Sequence, residues 1–388
     1  VIREATPSAI YMGLLAAFVG YAASFAIVLA GLTAMGGTEA QVASGLFFTT
    51  LAMGVCSIWL PAVTRIPAAV AWSTPGAAFL ASASALPGGF AEAIGATIIC
   101  AVLIVLTGFV PALGRAVAAI PKPVANALLA GVLLQLCLAP AQALGAAPLL
   151  VTPLLIVWAA GLAWHRLAAM PLTIIAFLII TFTAVDAPGA ALSATSIGLP
   201  EISTLMPQFT LRGLVSVALP LYLVTMAGQN IPGFAVLELN GYRVDRQPLI
   251  RRTGLASLLI APFGAIPVNM SAITAAMMSG EDAGRDPARR YWAGIFSGIG
   301  YVAMAFCAEP VVALTRIAPT EVITAVAGLA LIPALVSSLS GAFSVPGKLE
   351  APALTFLFAA SGMTLLGVSG AFWGTLIGVL VWLLKRAR

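Results

Sequence analysis

The run GAIPVNMSAITAAMMSG, residues 264–280, interrupts strongly apolar sequence with Gly264, Pro267, Asn269 and Ser271 before it settles into small, helix-compatible residues. An earlier run, RIPAAVAWSTPGAAFLASAS at 65–84, follows the same plan. Each has an Ile-Pro pair (Ile66-Pro67, Ile266-Pro267), a few extended residues, a hydroxyl-bearing residue and a short stretch of small side chains. Proline removes a backbone donor and breaks a helix, so both runs read as an extended stretch followed by a half-helix. Backbone of that kind at membrane depth is tolerated only where protein or a watery cavity satisfies it.

The membrane setting follows from composition. The 388 residues are 61% hydrophobic and only 8% charged, against about 25% charged in soluble domains. The apolar runs suit helices of about 20 residues rather than the alternating strands of a barrel. The first run, 8–32, is too long for the apolar core of a signal peptide and reads as a retained helix. The four cysteines sit within apolar runs, without metal-ligand spacing, so neither a disulfide framework nor a metal site is expected. A net charge of +5 comes from basic residues scattered in short loops, which argues against nucleic acid as partner and for the positive-inside rule.

The runs fall at 8–32, 41–63, the broken 66–85, 88–113, 124–139, 148–164 and 167–184. After a polar connection at 185–211 come 213–237, 253–263, the broken 264–280, 291–308, 322–343, 351–366 and 369–384. The expected fold is therefore an all-α integral membrane protein with 14 transmembrane segments, arranged as 7+7 around an extracytoplasmic loop. The repeats are 1–184 and 212–388. With both termini cytoplasmic, only Arg212 and Arg316 of the 18 basic residues face outside. An odd number of crossings inverts the second repeat relative to the first, and each places its broken segment third. Inverted repeats with breaks in matching positions point to a transporter site at the bilayer midplane.

Ser73 or Thr74, followed by Pro75, starts the first half-helix, and Asn269 or Ser271 caps the second. Inversion turns the two N-termini towards each other, and their unpaired N–H groups and dipoles favour an anion such as a carboxylate. Gln229 and Asn230 lie together in the eighth run, where polar amides need partners and face the protein interior. Trp72, just ahead of the first half-helix, is the best placed of several aromatics, Tyr21, Phe25 and Phe79 among them, to wall a ring. The expected substrate site is Trp72, Ser73, Thr74, Gln229, Asn230, Asn269, Met270 and Ser271. Glu92 alone lies clearly within a run among the carboxylates and is the candidate for proton coupling. No paired aspartates, serine–histidine pair or metal cluster supports an enzyme, and no cofactor is expected.

The motifs AGQNIPGFAVL (227–237) and PVNMSAITAAMM (267–278), with the 7+7 plan, resemble the benzoate:proton symporter family, BenE. That family is similar in architecture to uracil/xanthine permeases and sulfate-type anion transporters. The resemblance covers essentially the whole chain. It implies a core of spans 1–4 and 8–11, a gate of spans 5–7 and 12–14, and substrate held between the third and tenth spans. It further implies symport with a proton by movement of core against gate, an inner-membrane location among lipid, and a homodimer. Nucleobase permeases carry acids in their eighth and tenth spans. Here those regions hold Gln229 and small apolar residues, which favours an aromatic carboxylate. A nucleobase, another anion, or an anion channel is the alternative.

Overall fold

The computed structural model describes residues 5–83, 85–165, 168–184, 197–365 and 368–386. Residues 185–196 of the expected outer connection lie outside these, as do Arg3, Arg166 and Arg388 of the charge count. The architecture is helical and of membrane type.

The first apolar run is divided into α1 (Pro7–Ala22) and α2 (Phe25–Ala34), which meet at Ala23 and Ser24. Helix α3 (Glu39–Thr64) opens with a capping box between Thr38 and Gln41 and ends at Arg65, whose φ of 56° is left-handed. That conformation is uncomfortable for a side chain larger than glycine's. Tyr291 steadies it by accepting a hydrogen bond from the guanidinium, which also lies 4.7 Å from the ring centroid. The first break supplies β1 (Val70–Trp72) and α4 (Thr74–Ser82). Then follow α5 (Gly89–Phe109), α6 (Pro111–Ala118), α7 (Lys122–Ala146), α8 (Pro148–Trp164) and α9 (Ala169–Ala184).

The second half runs through α10 (Leu211–Leu239), a continuous helix with two π-helical stretches, and α11 (Arg246–Ile260). At Gly264, φ 79°, the chain turns into β2 (Val268–Met270) and α12 (Ala272–Ser279). It ends with α13 (Tyr291–Ala305), α14 (Ala308–Ile317), α15 (Thr320–Ala342), α16 (Glu350–Ala360), the short strands β3 (Thr364–Leu365) and β4 (Val368–Ser369), and α17 (Gly370–Arg386).

Several expected boundaries are corrected. The run 88–113 is two helices, because Pro111 forces Val110 into an extended conformation. The ninth run begins earlier than 253, and α11 carries Arg251 and Arg252 in its first half. Those charges are accommodated by laying guanidinium groups over Phe109 (4.9 Å) and Trp59 (5.0 Å). Helix α14 occupies a stretch read as a connection, and the segment Pro287–Ala305 is bent by 59° from it. The run 351–366 leaves the helix at Ala360 and reaches β3, which pairs antiparallel with β4. Among the described residues six helices are long and apolar enough to cross a membrane, or seven with the bent pair, and four apolar helices are shorter. Helix length alone therefore does not give fourteen crossings.

Packing follows a regular scheme. Helix α3 lies along α13, α5 along α11, and α7 along α15. Helix α4 packs on α2 and on the middle of α10; α12 packs on the C-terminal part of α10 and on α1. The closest crossings use glycine. A Cβ on Gly54 would stand 2.8 Å from the Val302 nitrogen, and one on Gly254 2.8 Å from the Val105 nitrogen. Small residues let helices approach where lipid supplies no hydrophobic drive. The larger apolar cluster surrounds both breaks, and a second joins Ala143, Val151, Leu154, Phe177, Val322 and Val326 on α7, α8, α9 and α15.

Candidate functional site: the crossing of the two broken segments

The two breaks meet as a buried antiparallel ladder. Val70 lies opposite Met270, Ala71 opposite Asn269 and Trp72 opposite Val268. Ser73 N–H donates to the Pro267 carbonyl and Ser271 N–H to the Ala69 carbonyl, each at 2.9 Å, so the pairing runs up to both half-helices.

A two-stranded ladder leaves an unpaired edge on each strand, which is untenable in hydrocarbon. Neighbouring helices close these edges. Ser57 on α3 accepts from Val70 N–H and donates to its carbonyl, both at 3.3 Å. Ser257 on α11 accepts from Val268 N–H at 2.9 Å and lies 3.1 Å from its carbonyl oxygen. Asn230 Oδ1 accepts from Met270 N–H at 3.0 Å, and Thr49 Oγ1 from Ile266 N–H at 3.1 Å. Asn269, with its amide turned to suit its neighbours, accepts from Ser73 N–H (3.1 Å) and donates to the Met270 carbonyl (2.9 Å).

The half-helices begin differently. In α4 the Ser73 hydroxyl accepts from Gly76 N–H (3.1 Å), the Ser73 carbonyl accepts from Ala77 N–H (2.7 Å), and Pro75 has no N–H to offer. That N-terminus is nearly saturated. Ser73 Oγ is further held 2.7 Å from Thr225 Oγ1. In α12 Ser271 stands at the N-cap but makes no capping bond. Among the described residues nothing accepts from the N–H groups of Ala272, Ile273 and Thr274. Of the two residues expected to cap the second half-helix, Ser271 holds the N-cap position without a side-chain capping bond, and Asn269 serves the ladder.

All eight residues expected at the substrate site come together here, in two groups. Trp72, Ser73, Asn230 and Asn269 are committed to the frame. Trp72 is 1% exposed; its indole N–H donates to Ser24 Oγ (2.8 Å), and its ring lies against Tyr21 (5.2 Å), which stacks on Phe25 (6.0 Å). Met270 is fully buried in β2. Thr74, Gln229 and Ser271, by contrast, have side chains without a hydrogen-bond partner among the described residues, yet none has its polar atoms sealed from open space. Gln229 is presented by the π-helical turn Met226–Asn230, the kind of widened turn that recurs at functional positions.

Glu92 lies in the first turn of α5, buried. Its Oε2 accepts from Gly88 N–H (2.8 Å) and its Oε1 from the Thr210 hydroxyl, which in turn accepts from Gly213 N–H (2.8 Å). The carboxylate thus pins the connection ahead of α10, where Gln208 N–H also donates to the Ala91 carbonyl (3.0 Å). Phe79, fully buried on α4, faces a hollow shared with Val132 and Met363 rather than the ladder.

Sequence reading missed Ser57, Ser257, Thr225 and Thr49. A signal for the serines was present. Gly54-Val-Cys-Ser57 and Gly254-Leu-Ala-Ser257 stand at equal distances ahead of the two Ile-Pro pairs. Each glycine makes a close helix crossing and each serine braces the strand beyond it. Thr225 carried no signal, because its partner Ser73 is distant in sequence.

Comparison with known proteins accords with this architecture. The transmembrane domain of the cyanobacterial bicarbonate transporter BicA aligns with a TM-score of 0.58 at 12% identity, covering 96% of this chain and 97% of that one. SLC26A9 aligns with a TM-score of 0.63 at 13% identity over 100% of this chain and 66% of its own. These likenesses concern the fold. In sequence, the chain is 37% identical over 374 residues to inner membrane protein YdcO of Escherichia coli, covering 96% of this chain and 94% of that protein. It is 32% identical over 377 residues to the benzoate membrane transport protein of Acinetobacter baylyi, covering 97% and 94%. Residues 3–384 match the family described as benzoate membrane transport protein, and the chain belongs to that family, BenE.

Proposed function

We propose that this protein is a secondary transporter that moves benzoate or a similar small aromatic carboxylate across the inner membrane together with a proton. The family and the Acinetobacter baylyi relative are described as membrane transport proteins, in keeping with a chain that is not an enzyme. The observation that carries the substrate class is the contrast at the crossing. Beside the bonded groups of the ladder, the N–H groups of Ala272, Ile273 and Thr274 and the side chains of Thr74, Gln229, Ser271 and Thr274 remain without partners among the described residues. Open donors gathered at one helix N-terminus can be satisfied together by a single carboxylate. The first turn of α12 adds its dipole to an anion's binding.

The inverted-repeat reading gains support from paired contacts. Ser57 braces Val70 as Ser257 braces Val268, and α3 on α13 is matched by α11 on α5. The pairing of α8 with α9 is matched by α16 with α17, and the separate apolar cluster on α7, α8, α9 and α15 accords with a gate distinct from the core. Transport then proceeds by displacement of that gate against the core carrying the crossing.

Uptake of radiolabelled benzoate into proteoliposomes tests this function. Accumulation that rises when the outside is acidified is expected, with little competition from uracil, sulfate or aliphatic acids. Failure to accumulate any aromatic acid overturns it, and currents indifferent to the proton gradient make the protein a channel. Gln229→Ala should raise the KM for benzoate about tenfold or more, through loss of a hydrogen bond to a charged group. Glu92→Gln tests coupling: a coupling role predicts that benzoate exchange persists while the pH gradient no longer drives uptake, and a retained gradient response leaves Glu92 as an anchor of the outer connection.

A further inference from the structure

The two half-helices are covered very unequally. In α4 every residue from 75 to 80 is buried, and the helix packs on α7 and α10. Helix α12 has no comparably extensive contact with α15, and one side of it is open. Ile273 is 61% exposed, Ala276 is exposed, and Ala272 and Gly280 are half-buried, while Thr274, Ala275, Met277 and Met278 are buried. Residues 273, 276 and 280 share one helical face. This accessible apolar stripe begins on the same turn as the unbonded N–H groups of Ala272, Ile273 and Thr274 and beside Ser271, a residue 4% exposed whose hydroxyl is unbonded and still reaches open space.

An anion-binding end continuous with an open apolar side fits a molecule with a carboxylate at one end and a flat apolar ring at the other. We propose that Ile273 is the side chain that determines specificity: the carboxylate sits on the first turn of α12, and the ring lies across Ile273 and Ala276. This rests on the transport reading above and replaces Trp72 as the ring contact, since the indole is sealed against Tyr21 with its N–H bonded to Ser24. Isoleucine is β-branched and stiff at χ1, so it sets a fixed width for the ring. A short aliphatic acid such as acetate gains the N–H bonds and loses the stripe. A divalent oxyanion gains nothing from the stripe.

The test uses the full chain in liposomes. Ile273→Cys is exposed to a charged, water-soluble thiol reagent, with the parent chain labelled in parallel because Cys137 and Cys307 are only partly covered. Labelling clearly faster than the parent, slowed several-fold by saturating benzoate and not by acetate, is expected. In uptake, Ile273→Ala should raise the KM for benzoate several-fold at little-changed maximal rate and improve uptake of para-substituted benzoates, with Ile273→Val close to the parent. Ile273→Asp should abolish uptake while the protein still elutes as a single species. Labelling no faster than the parent puts the side chain against lipid and overturns the proposal. So does labelling unaffected by benzoate, or an unchanged ring-size profile, in a chain that transports benzoate. Protection by benzoate in a chain that accumulates none retains the binding face and removes only the transport reading.

Discussion

Single hydroxyls and amides carry disproportionate weight at the crossing. Ser57 and Ser257 each close the edge of a strand that has no third strand beside it. Ser57→Ala should lower stability by about 1–3 kcal/mol, the cost of orphaning buried backbone groups, read as a drop in melting temperature in detergent. Ser257→Ala should do the same. A variant as stable as the parent would mean that water reaches the ladder. Asn230 performs the corresponding task for Met270, so Asn230→Ala should lose stability as well as transport, whereas Gln229→Ala should lose transport alone. That split separates frame from binding group, although the two amides are adjacent in sequence. Arg290 is a further buried residue of this kind: its guanidinium donates to the Gly284 and Ser279 carbonyls, both at 2.7 Å, holding the C-terminal end of α12. Its loss should loosen the half-helix and speed amide exchange there.

At the level of elements, the breaks are stable because rigid helices present their partners at fixed heights. Helix α3 supplies Thr49 and Ser57 to opposite ends of the crossing, and α11 supplies Ser257. Their positions depend on close glycine crossings with α13 and α5. Gly54→Ala or Gly254→Ala places a carbon about 3 Å or less from backbone nitrogen of the facing helix. Backbone cannot swing aside as a side chain can, so each change should cost about 1–3 kcal/mol by overpacking and lower the yield of monodisperse protein on size exclusion. The Ile-Pro breaks and the Ser73 cap were legible in sequence because proline and capping hydroxyls act within a few residues. The division of the first run at Ser24 and the π-helical turn at Met226–Asn230 were not, because hydropathy is blind to a change of backbone pitch inside an apolar run.

Across the whole molecule, the composition, the runs and the paired breaks were enough for a helical membrane transporter with its two breaks in contact. The reason is physical: lipid forbids unsatisfied backbone, so a polar, proline-bearing interruption must find a partner, and the interruption of the same plan in the other half offers one. The eight residues named for the site do gather there. What each of them does was decided only by tertiary structure. Ser73 and Ser271 look alike in sequence, yet one caps its helix through its side chain and the other leaves its helix open. Trp72 is sealed, and Ile273 is exposed. Hydrogen-bond partners and burial are set by groups brought from distant parts of the chain, and local sequence carries no record of which donors those groups have already satisfied.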